Sequence, residues 1–277
     1  MTEIITCTPK RLPDDMTIQA ADHAISVNPL NRPPVERALG LLPPETVNKN
    51  FLAILTAKRW KTNGVRLTVG FLETTPADLR ARIVAHMNAW SKTANVEFTE
   101  TQGADANVRI LRENTDGYWS YLGTDIMLID RGQPTMNLQG FTMRTPDEEF
   151  HRVVRHETGH TLGFPHEHMR RKLVELIDPE KAIAYFMATQ GWSREQVIQQ
   201  VLTPIQDSSL LGASRADGDS IMCYQIPGAL TKSGDPIPGG LDIDALDYEF
   251  AATCYPKPPL AAAPSRPATP AEAAAPG

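Results

Sequence analysis

The chain has 277 residues, with 27 Lys+Arg against 33 Asp+Glu and a net charge of −6 when histidines are neutral. Hydrophobic residues make up 41% and charged residues 22%, which is ordinary globular material of ample length for a sizeable core. The acidic balance gives no electrostatic reason to expect nucleic acid or an anionic membrane as partner, and no apolar run approaches the roughly 20 residues of a membrane span.

In chain order, the start from Met1 to Lys10 shows neither a basic region nor an apolar one. No secretory leader is visible there, so the expectation is a cytoplasmic protein or one exported without a standard leader. A short helix is predicted over Asp14–Val27, and proline-punctuated chain follows at Asn28-Pro29, Pro33-Pro34 and Pro43-Pro44. Residues 1–50 therefore read as an extension ahead of the first sheet element. Val65–Phe71 alternates apolar and polar residues as a half-buried strand does. Thr75-Pro76-Ala77-Asp78 has the pattern of a capping box opening a helix that shows Leu79, Ile83, Met87 and Trp90 on one face. Further strands are predicted at Asn95–Thr99, Asn107–Leu111, Asp125–Ile129 and Met136–Phe141. A second capped helix, with Thr145 as N-cap, Pro146 at its first position and Glu148 two further on, should run to Leu162, where Gly163 supplies a left-handed stop. Beyond it, helices are predicted at Asp178–Gln190, Ser193–Leu202 and about Asp242–Thr253, the last with Asp242, Asp244 and Asp247 on a solvated face. From about Pro256 the chain is Pro/Ala-rich and reads as a disordered tail. Three cysteines, Cys7, Cys223 and Cys254, allow one disulfide at most.

Five of the seven histidines lie between residues 151 and 168. His156 and His160 are four apart on the predicted helix, so both imidazoles leave one face a turn apart, within reach of a single zinc ion. Glu157 rotates to the edge of that face, where it can reach a water on the metal without binding the metal. Gly163 turns the chain and returns His166 as a third ligand. Three protein ligands leave the fourth position of a tetrahedral ion open, which marks a catalytic rather than a structural zinc. His151 and His168 flank the motif outside the ligand positions, and His23 and His86 read as structural.

The run from His156 to His166 resembles the long zinc signature of the metzincin metallopeptidases. Phe164 to Arg170, with Glu167 directly after the third histidine, resembles the astacin version. Ser220-Ile221-Met222-Cys223-Tyr224 resembles the astacin Met-turn, and Gly117 to Gly123 resembles the segment preceding the substrate-binding edge strand. The resemblance covers about residues 60–256 and identifies the chain as similar to a divergent, bacterial-type astacin-like enzyme, with too few cysteines for the usual two disulfides. It implies an α+β fold: an upper subdomain (51–163) with a twisted five-stranded sheet and helices, a mostly irregular and helical lower subdomain (164–256), and a tail (257–277). Substrate would lie in the cleft between the subdomains, adding a strand along an edge near Met136–Phe141. By the same resemblance Met222 lies under the metal and Tyr224 is a switchable ligand that donates to the transition-state oxyanion.

The function expected is that of a zinc-dependent metalloendopeptidase with one catalytic Zn²⁺. A zinc-activated water would attack the peptide carbonyl, with Glu157 as general base. Its partner is a protein or peptide substrate, with no nucleic acid and no membrane, and the oligomeric state stays open. A zinc amidase acting on cell-wall or other non-protein peptides is the rival reading, and a zinc-binding module without turnover is a second. Metzincins are commonly silenced by an N-terminal segment that sets a thiolate or carboxylate on the open zinc position, which makes Cys7 a candidate latency ligand and Asp14-Asp15 the carboxylate alternative.

Overall fold

A computed structural model describes residues 7, 10–33, 53, 56–113, 117–166, 171–204, 218–223 and 225–259. The predicted proline-rich lead-in beyond residue 33, Glu167, His168, Tyr224 and nearly all of the Pro/Ala-rich tail lie outside these residues.

Helix α1 (Thr17–Val27) follows a single 3₁₀ turn at Asp14–Met16. Strand β1 (Val65–Phe71) then enters the sheet with Val65, Leu67 and Val69 buried, the alternation read in the sequence. Helix α2 (Ala77–Met87) leads to β2 (Val96–Glu100), which pairs parallel to β1. Leu79, Ile83, Met87 and Trp90 are at most 1% exposed, so the predicted stripe is the face that packs on the sheet. Strand β3 (Val108–Leu111) joins the other side of β1, and β5 (Met136–Leu138) joins β3, both parallel. Strand β4 (Tyr118–Ser120) closes the sheet antiparallel to β5, giving the order β2-β1-β3-β5-β4. The fold is α+β with a five-stranded sheet, as expected.

Several local expectations are corrected. Asp125–Ile129 is not a strand: residues Gly123–Leu128 form 3₁₀ turns. The reason is Gly123, whose φ of +48° and close approach to the Lys58 carbonyl turn the chain before it can extend. The strand at Met136 is interior, and β4, which the sequence pattern did not reveal, is the edge in its place. Thr75 does not cap α2: Pro76 stands at the cap position, and the Thr75 hydroxyl turns back to the Glu73 carbonyl. Pro146 likewise displaces Thr145 as N-cap of helix α3 (residues 147–161). That helix contains a π-helical stretch at Phe150–Val154 before the α-helical turns Arg155–Thr161.

Helices α4 (Arg171–Val174), α5 (Pro179–Gln190) and α6 (Arg194–Val197, continued as a π turn to Leu202) build the C-terminal half. Asp178 caps α5, and Ser193 with Gln196 forms a capping box on α6. Helix α7 (Ala245–Cys254) starts at Asp244 with a second such box closed by Asp247. Two apolar clusters result. The larger joins the sheet, α2 and α3 to Ile221, Met222, Ile243, Ala251, Cys254 and Tyr255. The smaller gathers Leu173, Ile177, Phe186, Trp192, Val197 and Ile226, and takes in Cys7. No disulfide links the three cysteines, all of which are buried.

Trp90 sits at the meeting point of α2 and α3, fully buried, its indole N–H donating to the Arg155 carbonyl at 2.9 Å. Trp90→Ala should therefore cost about 3–5 kcal/mol, roughly 8–15 °C of melting temperature in a domain of this size. Leu246→Ala, at a position 46% exposed, should leave thermal unfolding almost unchanged. Equal shifts in the two variants would show that Trp90 is not a keystone of the core.

Candidate metal centre

The α-helical end of α3 carries His156 and His160 on one face, as the four-residue spacing requires. Gly163 adopts φ +89°, and its N–H donates to the His160 carbonyl at 2.8 Å while Phe164 N–H donates to Gly159 at 3.0 Å. The helix thus ends on a left-handed glycine, and the chain turns to bring His166 back. A side chain at 163 would also meet the Lys58 carbonyl, and the Tyr255 hydroxyl pins the same turn by donating to Leu162 O. All three histidines are buried, with exposures of 6%, 2% and 3% in chain order.

His166 Nε2 lies 3.1 Å from His156 Nε2 and 3.0 Å from His160 Nε2. His156 Nδ1 contacts the Ile221 carbonyl at 2.6 Å and His160 Nδ1 the Phe164 carbonyl at 2.8 Å. A ring nitrogen facing a carbonyl must carry the proton, so in both residues Nε2 presents its lone pair. Lone pairs gathered this closely repel unless a cation or a proton lies among them. Burial pushes His160 down to about 4, which disfavours imidazolium. A tetrahedral zinc with bonds of about 2.0–2.1 Å sets its nitrogens about 3.3 Å apart, so the observed cluster fits the ion with a small expansion.

Glu157 points beside this cluster and is 1% exposed. Burial pushes its carboxyl up to about 8, against the lowering effects of a Cys7 hydrogen bond and of Arg152. Its Oε2 accepts from the Cys7 thiol at 3.4 Å, and its Oε1 is buried with no hydrogen-bond partner among the described residues. Cys7 Sγ lies within 4.8 Å of the ligand atoms of all three histidines. Burial, and then the nearby Glu157 charge, push the Cys7 thiol up. Cys7 and Lys10 lie beside β4: Cys7 bridges to Tyr118 and Lys10 to Tyr121 just past the strand, both parallel, and the Lys10 ammonium lies 4.9 Å over the Trp119 ring. Asp14 and Asp15, by contrast, are exposed at the start of α1, away from the cluster.

The family model for the astacin peptidases matches residues 53–226, well over half of the chain. The chain belongs to the astacin family. It is similar to zinc metalloproteinase nas-27 of Caenorhabditis elegans, at 32% identity over 113 residues, 41% of this chain. The chain spans only 23% of the length of that relative. Two solved structures of myroilysin are also similar at 32% identity. One has a TM-score of 0.67 over 73% of this chain and 97% of myroilysin, and the other 0.56 over 72% and 86%. Zinc is the metal of the astacin family, and the donor set described above suits it.

In this astacin Met222 packs against the helix that carries His156 and His160. Met222 is 4% exposed, and a Cβ at Gly159 would collide with its Sδ, so the helix lacks a side chain where the methionine packs. Tyr224 lies outside the described residues. A residue the sequence reading misplaced holds the turn: Asp247, taken for a solvated helix face, is 8% exposed. Its Oδ1 accepts from the Ser220 hydroxyl at 2.6 Å and its Oδ2 from Ile221 N–H at 2.9 Å. Burial pushes this carboxyl up to about 6 despite those hydrogen bonds. Through Ile221, whose carbonyl receives His156 Nδ1, Asp247 bears on the orientation of a ring it never touches. Spacing gave one clue, the Asp244/Asp247 capping pattern, but nothing in it points to the Met-turn.

The Gly159–Met222 contact makes a sharp prediction for stability. Gly159→Ala should destabilise the protein by about 1–3 kcal/mol through overpacking. In a Met222→Ala background the same change should cost less, by a coupling of about 0.5–2 kcal/mol. Equal costs in the two backgrounds, measured by denaturant unfolding, would mean that the two residues do not meet.

Proposed function

We propose that this chain is a zinc-dependent endopeptidase whose own N-terminal segment keeps it latent through Cys7. The observation that carries the reading is the convergence of three histidine nitrogens, a buried carboxylate and a thiol at one point on the edge of the sheet. His156, His160 and His166 would hold the metal through Nε2, with the Ile221 and Phe164 carbonyls fixing two of the rings. Zinc at this position would supply a Lewis acid for the scissile carbonyl and a more acidic water.

Glu157 is the general base of this reading. It takes a proton on a carboxylate oxygen as the carbonyl is attacked and returns it to the leaving amine nitrogen. Its raised pKa suits a group that must both accept and release a proton near neutral pH. Tyr224 is proposed, from its place in the Met-turn, as the phenol donating to the oxyanion. The substrate would extend along β4, which Ser120 ties to the zinc-binding helix through a 3.1 Å hydroxyl contact with Thr161. Beside the centre a cleft of about 220 Å³, lined by Tyr118, Arg152, Val153 and Leu241 among others, would receive a substrate side chain.

Cys7 occupies this same place. A tethered ligand competes at an effective concentration of about millimolar, so a thiolate on the metal and a strand on β4 would together exclude a peptide. Release would need cleavage or displacement of the segment.

Peptidase assays on a denatured protein, with cleaved termini mapped, test the reading. Glu157→Gln should keep zinc and lose activity by about 10²–10⁴-fold. Cys7→Ala, and removal of residues 1–12, should raise activity roughly tenfold or more over the intact chain. Chelation should abolish activity, and zinc should restore it. Equal activity of the intact, Cys7→Ala and truncated proteins at matched zinc content would remove the latency role. Cleavage of small amides alone would replace the endopeptidase by an amidase. Separately, Tyr224→Phe should lower kcat with KM little changed, and an unchanged kcat would leave that phenol a packing role.

A further inference from the structure

A second group of metal-ligating side chains lies outside the cleft, where the N-terminal turns of α3 meet α2. His86 Nε2 is 3.5 Å from Asp147 Oδ1, and His151 Nε2 is 3.3 Å from Asp147 Oδ2. Asp147 and His151 are four apart on α3, so they share a face, and the two imidazole centroids are 5.1 Å apart. One ligand atom from each of the three residues lies within 4.8 Å of the other two.

We propose that His86, Asp147 and His151 form a second site for a divalent borderline metal such as Zn²⁺, independent of the catalytic reading. The orientation of His151 is the strongest support. Its Nδ1 lies 3.0 Å from Asp242 Oδ2, and the other oxygen of Asp242 accepts from Arg155 at 2.6 Å. A carboxylate on Nδ1 fixes the tautomer and aims the Nε2 lone pair outward, which is the arrangement of carboxylate–histidine–metal triads. The outward Nε2 then faces an anionic oxygen of Asp147, a pairing that needs a positive charge between the two atoms. His86 approaches the same carboxylate with its Nε2, while its Nδ1 is buried without a hydrogen-bond partner among the described residues. Burial and neighbouring cations push His86 down to about 4.

Two imidazole nitrogens and one carboxylate oxygen favour zinc, cobalt or nickel over calcium or magnesium. Arg82 donates to Asp147 Oδ1 at 2.9 Å, which leaves Oδ2 for the ion. Arg82 and Arg155 offset the charges of Asp147 and Asp242, so binding here should be weaker than at the buried histidine centre. The Asp147 side chain is 63% exposed, and the site is open to metal from solvent. A bound ion would join α2, the start of α3 and the chain just before α7.

The test counts metal on the full chain. Intact protein equilibrated with excess Zn²⁺ or Co²⁺ should hold one more equivalent than Asp147→Asn, His86→Gln or His151→Ala treated alike. Its melting temperature should rise on adding that last equivalent, and those of the variants should not. The Asp147 variant changes an exposed side chain and should fold even if a histidine variant does not. Because the readout is a difference between proteins with the same cleft residues, it stands whether or not the first centre behaves as proposed. Equal metal content in the intact protein and Asp147→Asn would overturn the site.

Discussion

Three imidazole nitrogens held within about van der Waals contact in a dry interior are an unstable arrangement on their own, and much of the surrounding structure exists to enforce it. Each ring must be oriented by a hydrogen bond on the opposite nitrogen, and the acceptors on His156 and His160 are backbone carbonyls. A carbonyl can orient a ring only if its own loop is fixed. Gly163 and Tyr255 fix the turn that carries Phe164 O. Asp247 fixes the loop that carries Ile221 O. Trp90, in the turn after α2, supports the helix on one side, and Ser120 of the sheet supports it on another. The buried carboxyls of Glu157 and Asp247, both pushed up by burial, are the electrostatic cost of this construction.

The edge strand gives the centre its geometric relation to anything extended. β4 is short, three residues, and antiparallel to its neighbour, so its outer face offers backbone groups to a further chain. Cys7 and Lys10 already take part of that edge. The first residues described thus belong to the same surface as the deepest part of the cleft, although about 150 residues separate Cys7 from Glu157 along the chain.

What could be read in the sequence was whatever rests on local periodicity and fixed spacing. The stripe of Leu79, Ile83 and Met87, the alternation of Val65–Phe71, the helices beginning at Asp178 and Ser193 and the stop at Gly163 all depend on neighbours within a turn or two. The spacing that brings His156, His160 and His166 together belongs to the same class. What failed was set by tertiary contacts, by short elements or by a choice between adjacent cap positions. Residues 125–129 have strand-like composition, but the backbone before them bends around Lys58. Tyr118–Ser120 is too short to show a period. Thr75 and Thr145 lost their capping positions because the proline after each one takes the cap itself. Asp247 looked solvated because its partners, Ser220 and Ile221, come from a segment 26 or 27 residues earlier.

The two ring-orienting carbonyls differ in how far they lie along the chain, and that difference orders the folding of the centre. His160 takes its acceptor from four residues away, whereas His156 reaches across 65 residues to Ile221. The first contact closes as soon as the helix and its glycine stop exist, within the time of a local turn. The second needs a long loop closed and α7 docked, since Asp247 secures Ile221. During synthesis, residues 156–166 emerge before both Ile221 and Asp247. One ring can thus be set by residues 156–166 alone, and the other waits for Ile221 and for the C-terminal helix that holds it.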